Sequence, residues 1–250
     1  MDLLQHALAG ATHDPSTPLP KLQRVLVVGG GGTLGSAVLA EALVAGRHQR
    51  VATVVTGAIT SAMRGFEPLD DGALRRGPQG FDLAYVVFER SRHANGRDDA
   101  FLQPEPDDLL PVAQALRAGG VQQLVVVVPH APALLPHALK AGFATQAEHA
   151  VAALGFRHLV FLRAAQAGRR DEGGTLMQRF GAWWLAQLSW MVPTSDQPVR
   201  AVRLAALVVQ LGRLLPAATP GTRVLPPEVL WQAAQAEDAA PVLAGWLAGR

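Results

Sequence analysis

The chain contains no cysteine. Disulfides, thiol nucleophiles and cysteine-ligated zinc or iron–sulfur centres are therefore excluded. Tyrosine and lysine are nearly as scarce: Tyr85 is the single tyrosine, and Lys21 and Lys140 are the only lysines, so arginine carries almost all the positive charge behind a pI of 9.6. The net charge is only +2. Basic residues are scattered, and no Lys/Arg cluster interleaves with aromatics, so nucleic acid is not an expected partner. No apolar run reaches the roughly 18 to 20 residues of a membrane helix, because glycines, prolines and charges interrupt each one. Asp2 stands in the opening MDLLQHALAG where a secretory signal carries positive charge, so a cytoplasmic location is expected. With 49% hydrophobic and 17% charged residues, the composition is that of a globular protein. A length of 250 residues suits one large α/β domain or two small ones.

What is present is concentrated between Arg24 and Gly46, RVLVVGGGGTLGSAVLAEALVAG. An apolar β-type run, Val25 to Val28, enters four consecutive glycines, and a segment with helical apolar spacing leaves them. That is strand, turn, helix. Gly29, Gly32 and Gly35 satisfy GxxGxxG while Gly30, Gly32 and Gly35 satisfy GxGxxG, two dinucleotide-binding patterns sharing their last two positions. Glycine allows a sharp turn and lets a pyrophosphate approach the backbone, where free N–H groups and the positive end of a helix dipole meet it. Gly29, Gly30, Gly32, Thr33, Leu34 and Gly35 are accordingly candidate cofactor-binding residues, and a structural βα turn is the alternative.

Around this unit the pattern alternates. Residues 1–20 suggest a short helix and a proline-rich arm. Arg50 to Thr56 gives a second strand, residues 61–80 a loop with at most a short third strand, and Phe81 to Phe88 a buried strand. A helix is predicted over Asp107–Ala118, then the strongly apolar strand Val121–Val128, ended by Pro129. A helix over about 138–154 and a strand over Arg157–Leu162 follow. Such alternation predicts parallel order with right-handed crossovers. The fold expected is α/β: a doubly wound, mostly parallel Rossmann-type sheet of about six or seven strands, helices on both faces, and a small helical C-terminal cap. The domain spans 21–237, with the cap at about 166–237 and a tail at 238–250. In the cap, residues 176–191 form an aromatic-rich helix, with core packing or a homodimer surface as its uses, and Ala201–Leu215 a second helix.

Ligands in open α/β sheets lie beyond the C-terminal strand ends. This places Thr56, Phe88, Arg92 and Val128 among the cofactor-binding candidates. Glu89, Arg90, Ser91, Arg92 and Asn95 lie either in the pocket or in a solvated charged loop. An acid about 20 residues after the glycines holds the ribose of NAD, and an Arg nearby holds the 2′-phosphate of NADP. Here Thr56, Gly57 and Ala58 occupy that strand end and Arg64 is the nearest downstream base, which leans toward NADP(H).

Metal chemistry finds little support: among the eight histidines only His130, His137 and His149 lie near the predicted crevice, without HExxH or tight ligand spacing. There is no GxSxG elbow, no P-loop lysine and no convincing carboxylate pair. Glu148 and Asp171 read as solvated charges.

The chain resembles the atypical short-chain dehydrogenase/reductases, especially the Tat-interacting-protein branch, over most of residues 22–235. The likeness lies in GGGGTLG at 29–35, the Asp82 strand followed by Arg92, LRAGGVQQLVVVV at 116–128, AEHAVAALGFRHLVFLR at 147–163 and PVRAVRLAALVV at 198–209. The resemblance implies NADP binding. It also implies a catalytic Ser after the fifth strand, and a Tyr with a Lys four residues on. Those positions fall at Val128 or Pro129, at Lys140 and at Ala144, so the three groups are missing. The resemblance further matches the family's cofactor-binding arginines to Gly57 and Ala58, a small residue after the fourth strand to Glu89, and a Pro-Gly turn to Ala164-Ala165. A carboxylate at 89 would repel a pyrophosphate unless a base such as Arg92 intervened. His130 and Lys140 are the weak substitutes for the missing proton donor.

Two functions follow as expectations. One is a dinucleotide-binding protein without dehydrogenase chemistry, acting as a sensor, scaffold or regulatory subunit. The other is a reductase that positions NADPH against a quinone or carbonyl substrate.

Overall fold

A computed structural model describes residues 22–44, 48–57, 65–89, 100–130, 145–165 and 199–249. The predicted N-terminal arm, Arg92, Lys140 and the aromatic segment 176–191 lie outside them.

The elements are β1 (Gln23–Val28), α1 (Gly32–Val44), β2 (His48–Val55), β3 (Phe66–Asp70), α2 (Asp71–Arg75), β4 (Leu83–Val87), α3 (Leu109–Ala118), β5 (Gln123–His130), α4 (Gln146–Ala152), β6 (His158–Ala165), α5 (Ala201–Leu214), β7 (Gly221–Leu225), α6 (Pro227–Gln235) and α7 (Ala240–Leu247). The seven strands form one sheet in the order β3-β2-β1-β4-β5-β6-β7, and every pairing is parallel. This is the expected doubly wound sheet. The chain steps outward from β1 to β3, then returns to the other side of β1 with β4. Strand order therefore reverses between β1 and β4, and the glycine turn stands at the C-terminal mouth of that reversal, where such sheets bind ligands.

Both faces are covered, which is why the central strands read as unbroken apolar runs. Val25 and Val27 of β1, with Tyr85, Val125 and Leu162, face α1, α5, α6 and α7. Leu26 and Val28, with Ala84, Val126 and Phe161, face α2, α3 and α4. Each Val, Leu or Phe side chain among them withdrawn from water contributes about 1.5–3 kcal/mol.

Four expectations need correction. Residues 66–70 form the short third strand allowed within the predicted loop, half-exposed at the sheet edge, and residues 71–75 add a short helix that is not expected there. Asp70 starts α2 by accepting the Ala73 N–H at 2.8 Å. Pro129 does not end β5, which continues to His130 in register with Ala165. The Val127 carbonyl faces β4, where it accepts the Phe88 N–H. Two residues on, Pro129 turns its nitrogen the same way, past the end of β4 at Val87, so no ladder hydrogen bond is lost. Residues 240–247 are helical where a tail is expected, with Leu243 and Leu247 buried in the α1/α5 core. Glu148, read as a solvated charge, is 2% exposed. No helix of the described residues is long and apolar enough to cross a membrane.

Candidate functional site at the glycine turn

The turn is built by close contacts that exclude side chains. Gly29 has φ +86° and approaches β4 so closely that a Cβ would lie 2.2 Å from the Val87 carbonyl oxygen. A Cβ on Gly35 would lie 1.8 Å from the Gly29 carbonyl oxygen, so the first turn of α1 packs directly on the strand exit. This is the close helix–strand packing that the third glycine of the pattern supplies. Behind the turn, the buried Thr53 hydroxyl donates to the Val27 carbonyl at 3.0 Å, tying β2 to the end of β1.

The first backbone N–H groups of a helix have no partner within it and carry the positive end of its dipole. In α1 they point at a carboxylate of the chain itself. Thr33 N–H donates to Glu89 Oε1 at 3.1 Å, and Leu34 N–H and Gly35 N–H donate to Glu89 Oε2 at 3.0 and 3.4 Å. Gly32, at φ +73°, leaves the space this carboxylate fills, since a Cβ there would lie 2.3 Å from Oε2. Glu89 follows directly on Phe88 at the exit of β4, and the switch in strand order brings that exit beside the glycine turn. The sequence marks an acid at this strand end. The resemblance sets it beside the pyrophosphate position, and the structure shows it bonded to the helix amides themselves.

The mouth of β2 is also engaged. Val51 N–H donates to Gly65 O on the β3 side, so Val54 and Thr56 turn their backbone groups toward β1. Beyond Val28, where β1 ends, residues 100–102 take that edge. Thr56 N–H donates to Ala100 O at 2.9 Å and Leu102 N–H to Val54 O at 3.0 Å, while Phe101 bridges Val55 in antiparallel sense. Phe101 and Pro104 lie over the turn, their carbons 3.5 and 3.3 Å from where Cβ atoms on Gly30 and Gly29 would stand.

The structure thus brings Gly29, Gly30, Gly32, Thr33, Leu34, Gly35 and Thr56 to one mouth. Phe88 departs from the prediction in its side chain, which is 2% exposed and sits in the core on the α3 face. Val128 is half-buried, in register with Arg163. The His130 backbone ends β5 on the same side of the sheet. Among the described residues no group of three potential ligands is placed to hold a metal.

Two further groups bear on chemistry. Tyr85 is fully buried in β4, its hydroxyl donating to the Val209 carbonyl of α5 at 3.3 Å, and burial drives its ionisation far above the ordinary phenol range. Arg163, at the C-terminal end of β6, pairs with Glu148 of α4 at 2.8 Å, with side chains 2% and 3% exposed. Glu148 reads as a solvated charge in the sequence although Thr145-x-x-Glu148 carries the spacing of a helix start, with the Thr145 hydroxyl accepting the Glu148 N–H at 3.2 Å.

No protein-family model matches the chain, and no curated protein matches it. Solved structures similar to it include the Bordetella bronchiseptica enzyme WbmH in complex with NAD+, at 16% identity over 85% of this chain and 80% of that one, with a TM-score of 0.48. A UDP-glucose-4-epimerase from Stenotrophomonas maltophila with bound NAD and formylated UDP-arabinopyranose shares 15% identity over 91% and 98% of the two chains, with a TM-score of 0.46. A Rossmann-fold NAD(P)-binding family protein from Shigella flexneri shares 15% over 78% and 87%, with a TM-score of 0.45. The fold assignment rests on the strand order and the glycine turn of this chain, independently of those likenesses.

Proposed function

We propose that this protein uses a dinucleotide-binding frame without dehydrogenase chemistry, as a sensor, scaffold or regulatory subunit. The observation that carries the reading is Tyr85. A proton relay of the short-chain dehydrogenase type needs an accessible tyrosine whose pKa is lowered toward the working pH. The chain's one tyrosine is closed to solvent, bonded to a helix carbonyl and shifted in the opposite direction.

The nucleotide part of the reading is supported by the turn. Its N–H groups at Thr33, Leu34 and Gly35 converge on an anionic group, as a pyrophosphate site requires. The dinucleotide is NADP(H) in preference to NAD(H), because β2 runs out at Thr56 and Gly57 with no acid to hold an unphosphorylated ribose. Affinity is weak, because the same donors already hold a carboxylate.

Fluorescence titration with NADPH and NADH, followed by a turnover assay over a quinone and ketone panel, tests both parts. The expected result is NADPH binding tighter than NADH, without turnover. Sustained nucleotide oxidation would overturn the non-catalytic reading, and failure of both nucleotides to bind wild type and Glu89→Ala at millimolar concentration would overturn the dinucleotide reading.

A further inference from the structure

Resting on the reading of the crevice as a dinucleotide site, we propose that the chain carries its own plug for it. The Glu89 carboxylate sits where the pyrophosphate would sit, and Ala100–Leu102 lie along the β2 edge beside the ribose position, so nucleotide enters only when Glu89 is displaced.

The two halves of the plug are independent observations. At the cradle, one carboxylate uses three N–H donors of α1, at 3.1, 3.0 and 3.4 Å. Those donors cannot simultaneously serve a phosphate oxygen, and two anions at that distance repel. The backbone conformation at Gly32 leaves space in which the side chain, rather than a Cβ, stands. At the β2 mouth, the Thr56 N–H and Val54 carbonyl are consumed by Ala100 and Leu102, and Phe101 and Pro104 cover the outer side of the glycines.

Self-occupancy changes what the glycine motif does. A pattern that ordinarily binds nucleotide whenever nucleotide is present becomes a competition between a tethered carboxylate and a free anion. Apparent affinity is then the intrinsic affinity scaled by the fraction of molecules in which Glu89 has left. The device suits a sensor whose response is set by the plug.

The test compares wild type, Glu89→Ala and Glu89→Gln, with inorganic pyrophosphate as probe alongside NADPH and NADH, by isothermal titration calorimetry. Pyrophosphate should bind Glu89→Ala about tenfold or more tightly than wild type, as expected when a mostly closed site is opened. Glu89→Gln should fall between them, since its neutral carbonyl accepts from the same amides more weakly. Equal affinity for wild type and the variants, or no pyrophosphate binding to any form, overturns the plug. Discrimination by pyrophosphate with no binding of either dinucleotide to any form upholds the plug and overturns the dinucleotide reading. Should Glu89→Ala fail to fold, tighter binding to Glu89→Gln than to wild type upholds the proposal and equal binding overturns it.

Discussion

The Glu148 carboxylate and the Arg163 guanidinium meet at 2.8 Å with both side chains almost completely withdrawn from water. The pair ties the first turn of α4 to the C-terminal end of β6. Removing two charges from water is costly, and their mutual attraction offsets that cost only while both are present. Truncating one partner leaves the other buried and uncompensated. Glu148→Leu and Arg163→Met should each destabilise the fold by about 3–5 kcal/mol, whereas the double variant should lose much less than the sum. Urea denaturation of the four proteins checks this, and additive losses would show that the two groups act separately.

The features legible in the sequence are those set by local pattern. β1, its glycine turn and α1 are announced by an apolar run, four glycines and helical spacing, and β4 and β5 by runs too apolar for any place but the centre of a covered sheet. β3 was barely legible because an edge strand is wetted on one side and admits Glu67, Pro68 and Asp70. α7 reads as a tail in the sequence because Ala, Gly and Pro at 239–245 weaken its pattern, and it packs on α5 and α6 through Leu243 and Leu247. The sequence sets Glu89 at the cofactor side of the crevice, but its capture of the helix amides, like the burial of Glu148, is out of reach for a different reason. Each acid is ordinary in its own segment, and its partner stands 55 or 15 residues away along the chain, so sheet order decides its role.

His158 supplies a pH dependence. It is fully buried at the start of β6, and no described residue supplies a hydrogen-bond partner to either ring nitrogen. Burial lowers its pKa from the ordinary 6.5, and the positive charges of Arg157 and Arg223 lower it further. The folded protein therefore keeps the ring neutral where the unfolded chain takes up a proton. Below about pH 6.5 the unfolded state binds more protons, so stability falls as pH drops toward the folded-state pKa. His48, lowered by burial and by Arg213, adds in the same direction. Replacing His158 with leucine should shrink the loss of urea midpoint between pH 8 and pH 5. An unchanged loss would assign the acid sensitivity to other groups.

Tyr85 and Gly212 make the last relationship a matter of space. α5 crosses β4 so closely that a Cβ on Gly212 would lie 2.1 Å from the Tyr85 hydroxyl oxygen, and 2.8 Å from both the ring carbon bearing it and Leu83 Cδ2. Glycine in a helix interior ordinarily costs about 0.5–1 kcal/mol relative to alanine, so Gly212→Ala on an open helix would stabilise. Here overpacking reverses the sign, and the substitution should destabilise by about 1–3 kcal/mol. Tyr85→Phe removes the oxygen nearest the added methyl. It forfeits a hydrogen bond of about 0.5–1.5 kcal/mol to the Val209 carbonyl, so alone it should be mildly destabilising, with nucleotide affinity unchanged. In the Gly212→Ala background the same substitution should cost less, or become favourable. A double-mutant cycle of thermal or urea unfolding measures the difference, and a coupling of zero would mean that α5 shifts away from β4 as a body. A large effect of Tyr85→Phe on nucleotide binding or turnover, with the fold intact, would instead return this buried tyrosine to the chemistry from which its burial removes it.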